Sequence, residues 1–228
     1  MRIVFMGTPD FAVPTLEALL GAKEEIVGVV TQPDRPKGRG HKLAHPPVKE
    51  KALIYNLPIY QPENVNTPHF KDQLQQLSPD LIVVVAFGQL LSKEILNLPK
   101  FGCINVHASL LPKYRGAAPI HWSIINGEIE TGITTMYMDV ELDAGDMLLQ
   151  EKVEIEEDDT LGVLHDKLAK LGGGLLVKTV EALKASSLSR TPQNHSQATY
   201  ATKIEEKDVE IDWYQSARQI KNLARGTN

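Results

Sequence analysis

Residues 2–31 read RIVFMGTPDFAVPTLEALLGAKEEIVGVVT, and this stretch decides the fold. Residues 2–6 are an apolar, β-branched run that predicts a buried strand, and residues 26–31 predict a second one. The turn residues 7–10 separate the first strand from apolar side chains at roughly helical spacing, which end at Gly21. Two strands joined through a helix form a βαβ unit, which implies a parallel sheet with a right-handed crossover.

The rest of the chain extends this sheet. Residues 81–86 (LIVVVA) show no alternation, which is typical of a central strand covered on both faces. Residues 101–106 predict another strand, and residues 58–60 a short edge strand. Residues 131–138 and 147–155 are joined so closely that they are most easily antiparallel. Helices are predicted around residues 48–55, 70–77, 119–126, 161–175 and 216–224. The sequence thus predicts an α/β fold: a doubly wound, mostly parallel, Rossmann-like sheet with an antiparallel excursion near its C-terminal part.

The composition is that of a soluble globular protein. Of the 228 residues, 42% are hydrophobic and 23% charged, with a net charge of -5. These values exclude a disordered tail, a collagenous repeat and a disulfide-dense mini-protein. The single cysteine, Cys103, cannot form an internal disulfide, and the sequence contains neither an apolar run of 18 residues nor a signal peptide. We therefore expect a cytoplasmic protein with no membrane contact.

Two polar side chains stand at the end of a predicted strand. Asn105 and His107 are two residues apart, so both point to one face of the sheet. Ligands of parallel α/β sheets bind beyond the carboxyl ends of the strands. An amide beside an imidazole there can donate hydrogen bonds to a carbonyl oxygen that becomes negative during attack. The alternative is that Asn105 caps the following turn and His107 bonds to a backbone group.

Two loops carry clustered charge. Residues 139–146 contain four carboxylates, at a spacing that differs from that of an EF-hand. They could include a metal site, or one of them could orient the histidine while the rest are solvated. Residues 32–47 form a long Pro-rich loop with four basic side chains, Arg35, Lys37, Arg39 and Lys42. This loop could bind phosphates, or it could be a solvated surface loop.

Several motifs together resemble the folate-dependent formyltransferases, over nearly the whole chain. The most specific are residues 107–112 (HASLLP) with residues 114–120 (YRGAAPI). Residues 142–147 (LDAGDM) are similar to the family's second characteristic segment. Residues 5–11 (FMGTPDF) and 31–40 (TQPDRPKGRG) resemble pieces of the branch that acts on methionyl-tRNA.

This resemblance implies a role for individual residues. The family's catalytic Asn, His and Asp correspond to Asn105, His107 and Asp143. The basic side chains that would contact tRNA are Arg35, Lys37, Arg39 and Lys42. The residues that would bind the folate are Phe87, Gly88, Leu90, Ser109, Leu110, Leu111 and Pro112.

The implied reaction is formyl transfer from 10-formyltetrahydrofolate to the α-amine of methionyl initiator tRNA, in translation initiation, by a monomer without a metal. Four alternatives stay open: a glycinamide ribonucleotide transformylase, a sugar-nucleotide formyltransferase, a formyltetrahydrofolate hydrolase-type domain and a non-catalytic binding module. The family also has a C-terminal β-barrel domain. The resemblance therefore implies a catalytic domain over residues 1–188 and, over residues 189–228, a linker and the start of a barrel absent from this chain.

Overall fold

The computed structural model describes residues 1–37 and 42–228. Its main feature is a seven-stranded sheet with the strand order β10-β9-β7-β6-β1-β2-β5. The strands are β1 (Arg2–Gly7), β2 (Glu25–Val30), β3 (Arg35–Lys37), β4 (Lys42–Ala44), β5 (Ile59–Tyr60), β6 (Leu81–Val85), β7 (Cys103–His107), β8 (Arg115–Gly116), β9 (Glu130–Tyr137), β10 (Met147–Glu154) and β11 (Tyr200–Ala201). The α-helices are α1 (Val13–Gly21), α2 (Pro47–Ile54), α3 (Pro68–Leu77), α4 (Lys93–Leu96), α5 (Pro119–Ile125), α6 (Leu161–Lys184) and α7 (Ala217–Thr227).

The sheet confirms the predicted fold class. Strands β1, β2, β5, β6 and β7 pair in parallel, whereas β9 runs antiparallel to both β7 and β10. Strand β5 is at the edge and β6 is inside the sheet, as the apolar runs predicted. No helix in residues 1–37 and 42–228 is long and apolar enough to cross a membrane.

Each face of the sheet has its own apolar core. Alternate residues of β1 and β7, such as Phe5 and Val106, pack with α1 and α6 on one face. The intervening residues, such as Met6 and Cys103, pack with α3 and α4 on the other. Because side chains alternate along β7, Asn105 and His107 lie on the same face as Cys103.

The three consecutive glycines of α6, Gly172 to Gly174, lie in one continuous helix, so they do not break it. A Cβ at Gly172 would lie 3.0 Å from Cγ1 of Val106 on the sheet. A Cβ at Gly173 would lie 2.9 Å from the carbonyl oxygen of Pro14 on α1. Gly174 points outward, and a Cβ there would meet nothing within 4 Å. Two of the three glycines therefore let α6 approach its neighbours.

The structure differs from the sequence prediction in the loop of residues 32–47. That stretch contains an antiparallel pair, in which Arg35–Lys37 of β3 pairs with Lys42–Ala44 of β4. Strands of three residues are too short to show a hydrophobic period, and the prolines of this stretch favoured a loop interpretation. The predicted tRNA contact Arg39 lies outside the described residues.

The chain after residue 188 packs back on the rest of the fold. Strand β11 pairs in parallel with β8, and the indole nitrogen of Trp122 on α5 donates to the carbonyl of Thr202. Arg225 of α7 donates to the carbonyl oxygens of Glu156 and Asp159. The division of the chain at residue 188 stays a prediction.

Candidate active site

Strand β7 places the first two candidate catalytic residues. Asn105 pairs with Val84 of β6 and with Met136 of β9, and His107 pairs with Thr134 of β9. Both residues therefore lie at the carboxyl end of a strand inside the sheet. This is the edge at which parallel α/β folds bind their ligands.

His107 is buried, and the surrounding chain fixes its ring. Its Nε2 lies 2.9 Å from the carbonyl oxygen of Tyr114. A carbonyl oxygen can only accept, so Nε2 carries a hydrogen and donates it there. Nδ1 lies 3.7 Å from Oδ2 of Asp143, which is too long for a hydrogen bond but close enough for a charge interaction. Nδ1 is therefore the ring nitrogen that is available to bond to a substrate.

Asp143 comes from the loop between β9 and β10. Its Oδ2 accepts a hydrogen bond of 2.7 Å from the backbone N–H of Gly116. Its backbone adopts a φ of 49°, a left-handed conformation that is uncommon for a residue other than glycine. The structure thus brings Asp143 to His107, although 35 residues separate them in the sequence.

The Asn105 amide is free for a ligand. Its side chain is half-buried, and it makes no hydrogen bond within the part of the chain that the structure describes. An amide with unused donors on the same sheet face as an imidazole can stabilise an oxygen that gains negative charge.

The turn after β7 is held by internal hydrogen bonds. The buried hydroxyl of Ser109 donates to the carbonyl of Lys113 at 2.6 Å. The hydroxyl of Thr134 donates to the carbonyl of Ser109 at 2.6 Å and accepts from the N–H of Leu111 at 3.2 Å. Ser109 and Leu111 face inward, whereas Leu110 and Pro112 are half-buried. Folate contact by these four residues stays a prediction.

The turn after β6 is tied to the strands beside it. The carbonyl of Phe87 accepts from Oγ1 of Thr8 at 3.1 Å and from Nε2 of Gln32 at 3.2 Å. The Phe87 ring is buried, while Gly88 is exposed and Leu90 is 71% exposed. Of the predicted folate residues in this turn, Leu90 offers the most apolar surface to a ligand.

A cavity of about 920 Å³ adjoins the loop that carries Asp143. Its size is within the usual range for small-molecule sites. Its lining mixes apolar with charged side chains and includes Leu96, Cys103, Tyr137, Met138, Val140 and Arg190. This cavity could not be predicted from the sequence, because its residues come from separate segments that share no motif.

The carboxylates of residues 139–146 do not form a cluster. Within residues 1–37 and 42–228, no three or more His, Cys, Asp or Glu side chains form a group that could hold a metal ion. Oδ1 of Asp139 instead accepts hydrogen bonds from the backbone N–H groups of Val140 and Glu141. The metal-site alternative for this loop therefore lacks a set of ligands.

Asp34 anchors the N-terminal end of the loop of residues 32–47, which carries the basic side chains. This carboxylate accepts from Nζ of Lys49 at 2.6 Å and from Nε2 of Gln61 at 2.8 Å. The Lys49 ammonium and these hydrogen bonds lower the pKa of Asp34 to about 2, so it is ionised at neutral pH. Arg35 is exposed, and its Nη2 lies 3.6 Å from Oε2 of Glu63. The backbone of Lys37 in β3 pairs with that of Lys42 in β4.

Comparison with known proteins shows the family. A family model described as formyl transferase matches residues 1–180. The methionyl-tRNA formyltransferase of Alkaliphilus oremlandii is 58% identical over 227 residues, which cover all of this chain and 73% of that relative. The chain belongs to the methionyl-tRNA formyltransferase family. A second member, from Acetivibrio thermocellus, is 56% identical over 228 residues, with the same coverage.

Solved structures of formyltransferases share the fold. An N-formyltransferase from Helicobacter canadensis, in complex with folinic acid and dTDP-3-aminofucose, superposes with a TM-score of 0.76 at 21% identity. That match covers 99% of this chain and 80% of the other. Phosphoribosylglycinamide formyltransferase from Bacillus halodurans gives 0.69 at 23% identity, over 82% of this chain and 97% of the other. At such low identity these matches show the fold alone.

Proposed function

We propose that this chain transfers a formyl group from 10-formyltetrahydrofolate to the α-amine of methionine on initiator tRNA. The observation that carries the proposal is the approach of Asp143 to Nδ1 of His107, beside the free amide of Asn105, in a member of this family. A pair of donors at the carboxyl end of a central strand suits an acyl-transfer reaction.

The residues act on charge that develops during attack. When the neutral amine attacks the formyl carbon, the formyl oxygen becomes negative. The Asn105 amide and Nδ1–H of a protonated His107 donate hydrogen bonds to that oxygen. Nε2–H cannot serve, because it already donates to the carbonyl of Tyr114. The Asp143 carboxylate stabilises the cationic ring from 3.7 Å.

The proton balance also involves Asp143. The attacking nitrogen must lose a proton as the new C–N bond forms, and the departing folate nitrogen must gain one. Asp143 accepts the amine's proton through a water molecule and returns it by the same route to the departing folate nitrogen, while its Oδ2 remains bonded to the N–H of Gly116. The transfer needs no metal, because the formyl donor is already activated.

The cavity beside residues 138–146 suits the folate. Its volume of about 920 Å³ can hold a bicyclic ring. Its lining includes Ala144 and Gly145, which follow Asp143 in the loop, but not Asn105, His107 or Asp143 itself. The predicted folate residues of the two turns after β6 and β7 do not line this cavity, and we propose them as further contacts. They are Phe87, Gly88, Leu90, Ser109, Leu110, Leu111 and Pro112.

For tRNA, we propose the basic side chains of the loop that begins at Asp34. Arg35, Lys37, Arg39 and Lys42 would contact backbone phosphates near the acceptor end. The anchoring of Asp34 by Lys49 and Gln61 fixes where this loop leaves the fold. We further propose that the enzyme acts as a monomer in the cytoplasm.

The reaction is tested by following the fate of the formyl group. The chain is incubated with 10-formyltetrahydrofolate, with and without methionyl initiator tRNA, and both formate and formyl-methionine are measured. The proposal expects formyl-methionine with tRNA and only background formate without it. Formate release that is rapid and independent of tRNA would favour the hydrolase-type alternative instead.

A further inference from the structure

One segment of the chain contacts both halves of the candidate active site. Residues 191–201, here called the strap, begin with Thr191, whose backbone exchanges two hydrogen bonds of 2.9 Å with Met147 beside the Asp143 loop. At the other end, the carbonyl of Thr199 accepts from the N–H of Arg115, and β11 pairs with β8. The strap thus links the loop of Asp143 to the loop that faces His107.

Gln193 lies at the centre of the strap and is only 5% exposed. Its Nε2 donates to the carbonyl oxygens of Asp143 and Gly145, both at 2.8 Å. Its Oε1 accepts from Nε and Nη2 of Arg115, at 3.1 and 2.7 Å. The side-chain amide therefore uses both donor hydrogens and its acceptor oxygen inside the site.

The neighbours of Gln193 require a side chain that both donates and accepts hydrogen bonds. Arg115 is 2% exposed, and its guanidinium contacts Gln193 through Nε and Nη2 and lies 3.5 Å from Nδ1 of His195 through Nη1. Oε1 of Gln193 accepts charge-assisted hydrogen bonds from two nitrogens of this buried cation. A carboxylate could do the same, but it could not donate to the carbonyls of Asp143 and Gly145.

The left-handed backbone conformation of Asp143 has to be stabilised by contacts with other residues. A non-glycine residue in the left-handed region costs free energy and persists only where its surroundings fix it. Gly116 holds the carboxylate, and Gln193 holds the carbonyl of the same residue. Together they fix both ends of Asp143.

We propose that Gln193 is a positioning residue, which holds Asp143 opposite Nδ1 of His107 and so sets the rate of the chemical step. The inference rests on the proposed formyl transfer, but it concerns an interaction within the chain. Gln193 touches no reacting atom; it acts through the backbone of Asp143.

The test compares Gln193→Met with Gln197→Met, both in the whole chain. Gln197 is an exposed glutamine of the same strap, and its side chain bonds to none of the described residues. Gln193→Met keeps the side-chain length but removes the donors and the acceptor. We expect kcat to fall about 10- to 100-fold, because a misplacement of about 1 Å can cost 10²-fold. The KM for the folate donor should change less than kcat does, because Gln193 does not itself line the cavity proposed for the folate.

A double-mutant cycle separates positioning from a general structural role. In an Asp143→Asn background, Gln193→Met should reduce kcat by less than about twofold, because the group it positions is already lost. A multiplicative loss in that background would overturn the proposal. So would an unchanged kcat in Gln193→Met, or a loss that Gln197→Met reproduces.

A spectroscopic measurement keeps the inference testable without activity. The ¹⁵N resonances of the His107 ring should shift in Gln193→Met and stay unchanged in Gln197→Met. If the wild-type chain transfers no formyl group, the proposed function fails, and the ring spectrum still decides the positioning. Identical His107 resonances in wild type and Gln193→Met would overturn it.

Discussion

Oδ2 of Asp143 lies 3.7 Å from Nδ1 of His107 and at the same time accepts a hydrogen bond of 2.7 Å from the N–H of Gly116. The carboxylate is thus held by the backbone and faces the ring without a short bond to it. This leaves Nδ1 free to donate to a substrate oxygen, with a negative charge close by.

The first prediction concerns the two proposed oxyanion donors. His107→Ala and Asn105→Ala should each lower kcat by about 10²–10³-fold, the usual cost of losing one such donor. Steady-state formylation of methionyl-tRNA measures both. Turnover near the wild-type rate in either variant would remove that residue from the mechanism.

The second prediction concerns a buried phenol next to the site. Burial, together with Glu128, which accepts from the Tyr114 hydroxyl at 2.7 Å, raises the pKa of Tyr114 to about 12. The folded state therefore favours the neutral phenol. Its contribution to stability is complete below the ordinary tyrosine pKa of about 10 and is lost as the pH rises from there through about 12.

Ultraviolet titration of phenolate checks this assignment. The chain has six tyrosines, and Tyr114→Phe should remove the component that titrates near pH 12. The same variant should lose less stability than the wild type between pH 10 and 12. An unchanged high-pH component in Tyr114→Phe would contradict the account.

The third prediction uses two adjacent glycines of α6 as a matched pair. Gly174→Ala should raise the free energy of unfolding by about 0.5–1 kcal/mol, since alanine favours helix and its Cβ meets nothing there. Gly173→Ala should lower it by about 1–3 kcal/mol, since its Cβ would lie 2.9 Å from the Pro14 carbonyl oxygen. Urea unfolding measures both variants, and shifts of the same sign would be inconsistent with this packing.

The fourth prediction concerns the basic loop. Arg39→Ala should raise the KM for methionyl-tRNA and leave the KM for the folate donor unchanged. Loss of one phosphate contact should reduce the slope of log affinity against log salt by about 1. Lys170→Ala, at an exposed position on α6, is the control and should change neither value. A change in folate affinity in Arg39→Ala would move that residue to the folate site.

The fifth prediction concerns metal removal. Treatment with a chelator, followed by dialysis into metal-free buffer, should leave the rate of formyl transfer unchanged. The proposed donors are the Asn105 amide and the His107 ring, neither of which depends on an ion. Activity that is lost with the chelator and restored by a divalent cation would contradict the mechanism.

The centre of the main sheet could be predicted from the sequence because β1, β2 and β6 lie in apolar runs of five or more residues. Residues 81–86 lack alternation, and this alone indicated a strand covered on both faces. The antiparallel pair of β9 and β10 followed from the short connection between them. The short strands β8 and β11 gave no such signal, because two residues cannot show a period.

The candidate site could be predicted only in part. The pattern around β7 identified Asn105 and His107 as neighbours, and family resemblance added Asp143. Gln193 could not be found in this way, because its partner Asp143 is 50 residues away and no pattern links the two. The backbone groups of Tyr114 and Gly116 are equally invisible in a sequence, since any residue type supplies a carbonyl and nearly any supplies an N–H.

The central claim is that this chain formylates the methionine of initiator tRNA. It is tested most directly by incubating the chain with isotopically labelled 10-formyltetrahydrofolate and methionyl initiator tRNA, then releasing the amino acid for mass spectrometry. The account predicts labelled formyl-methionine with the wild type and at least about 10²-fold less with His107→Ala. Unmodified methionine in the wild-type reaction, with the label recovered as formate or left on the folate, would contradict it.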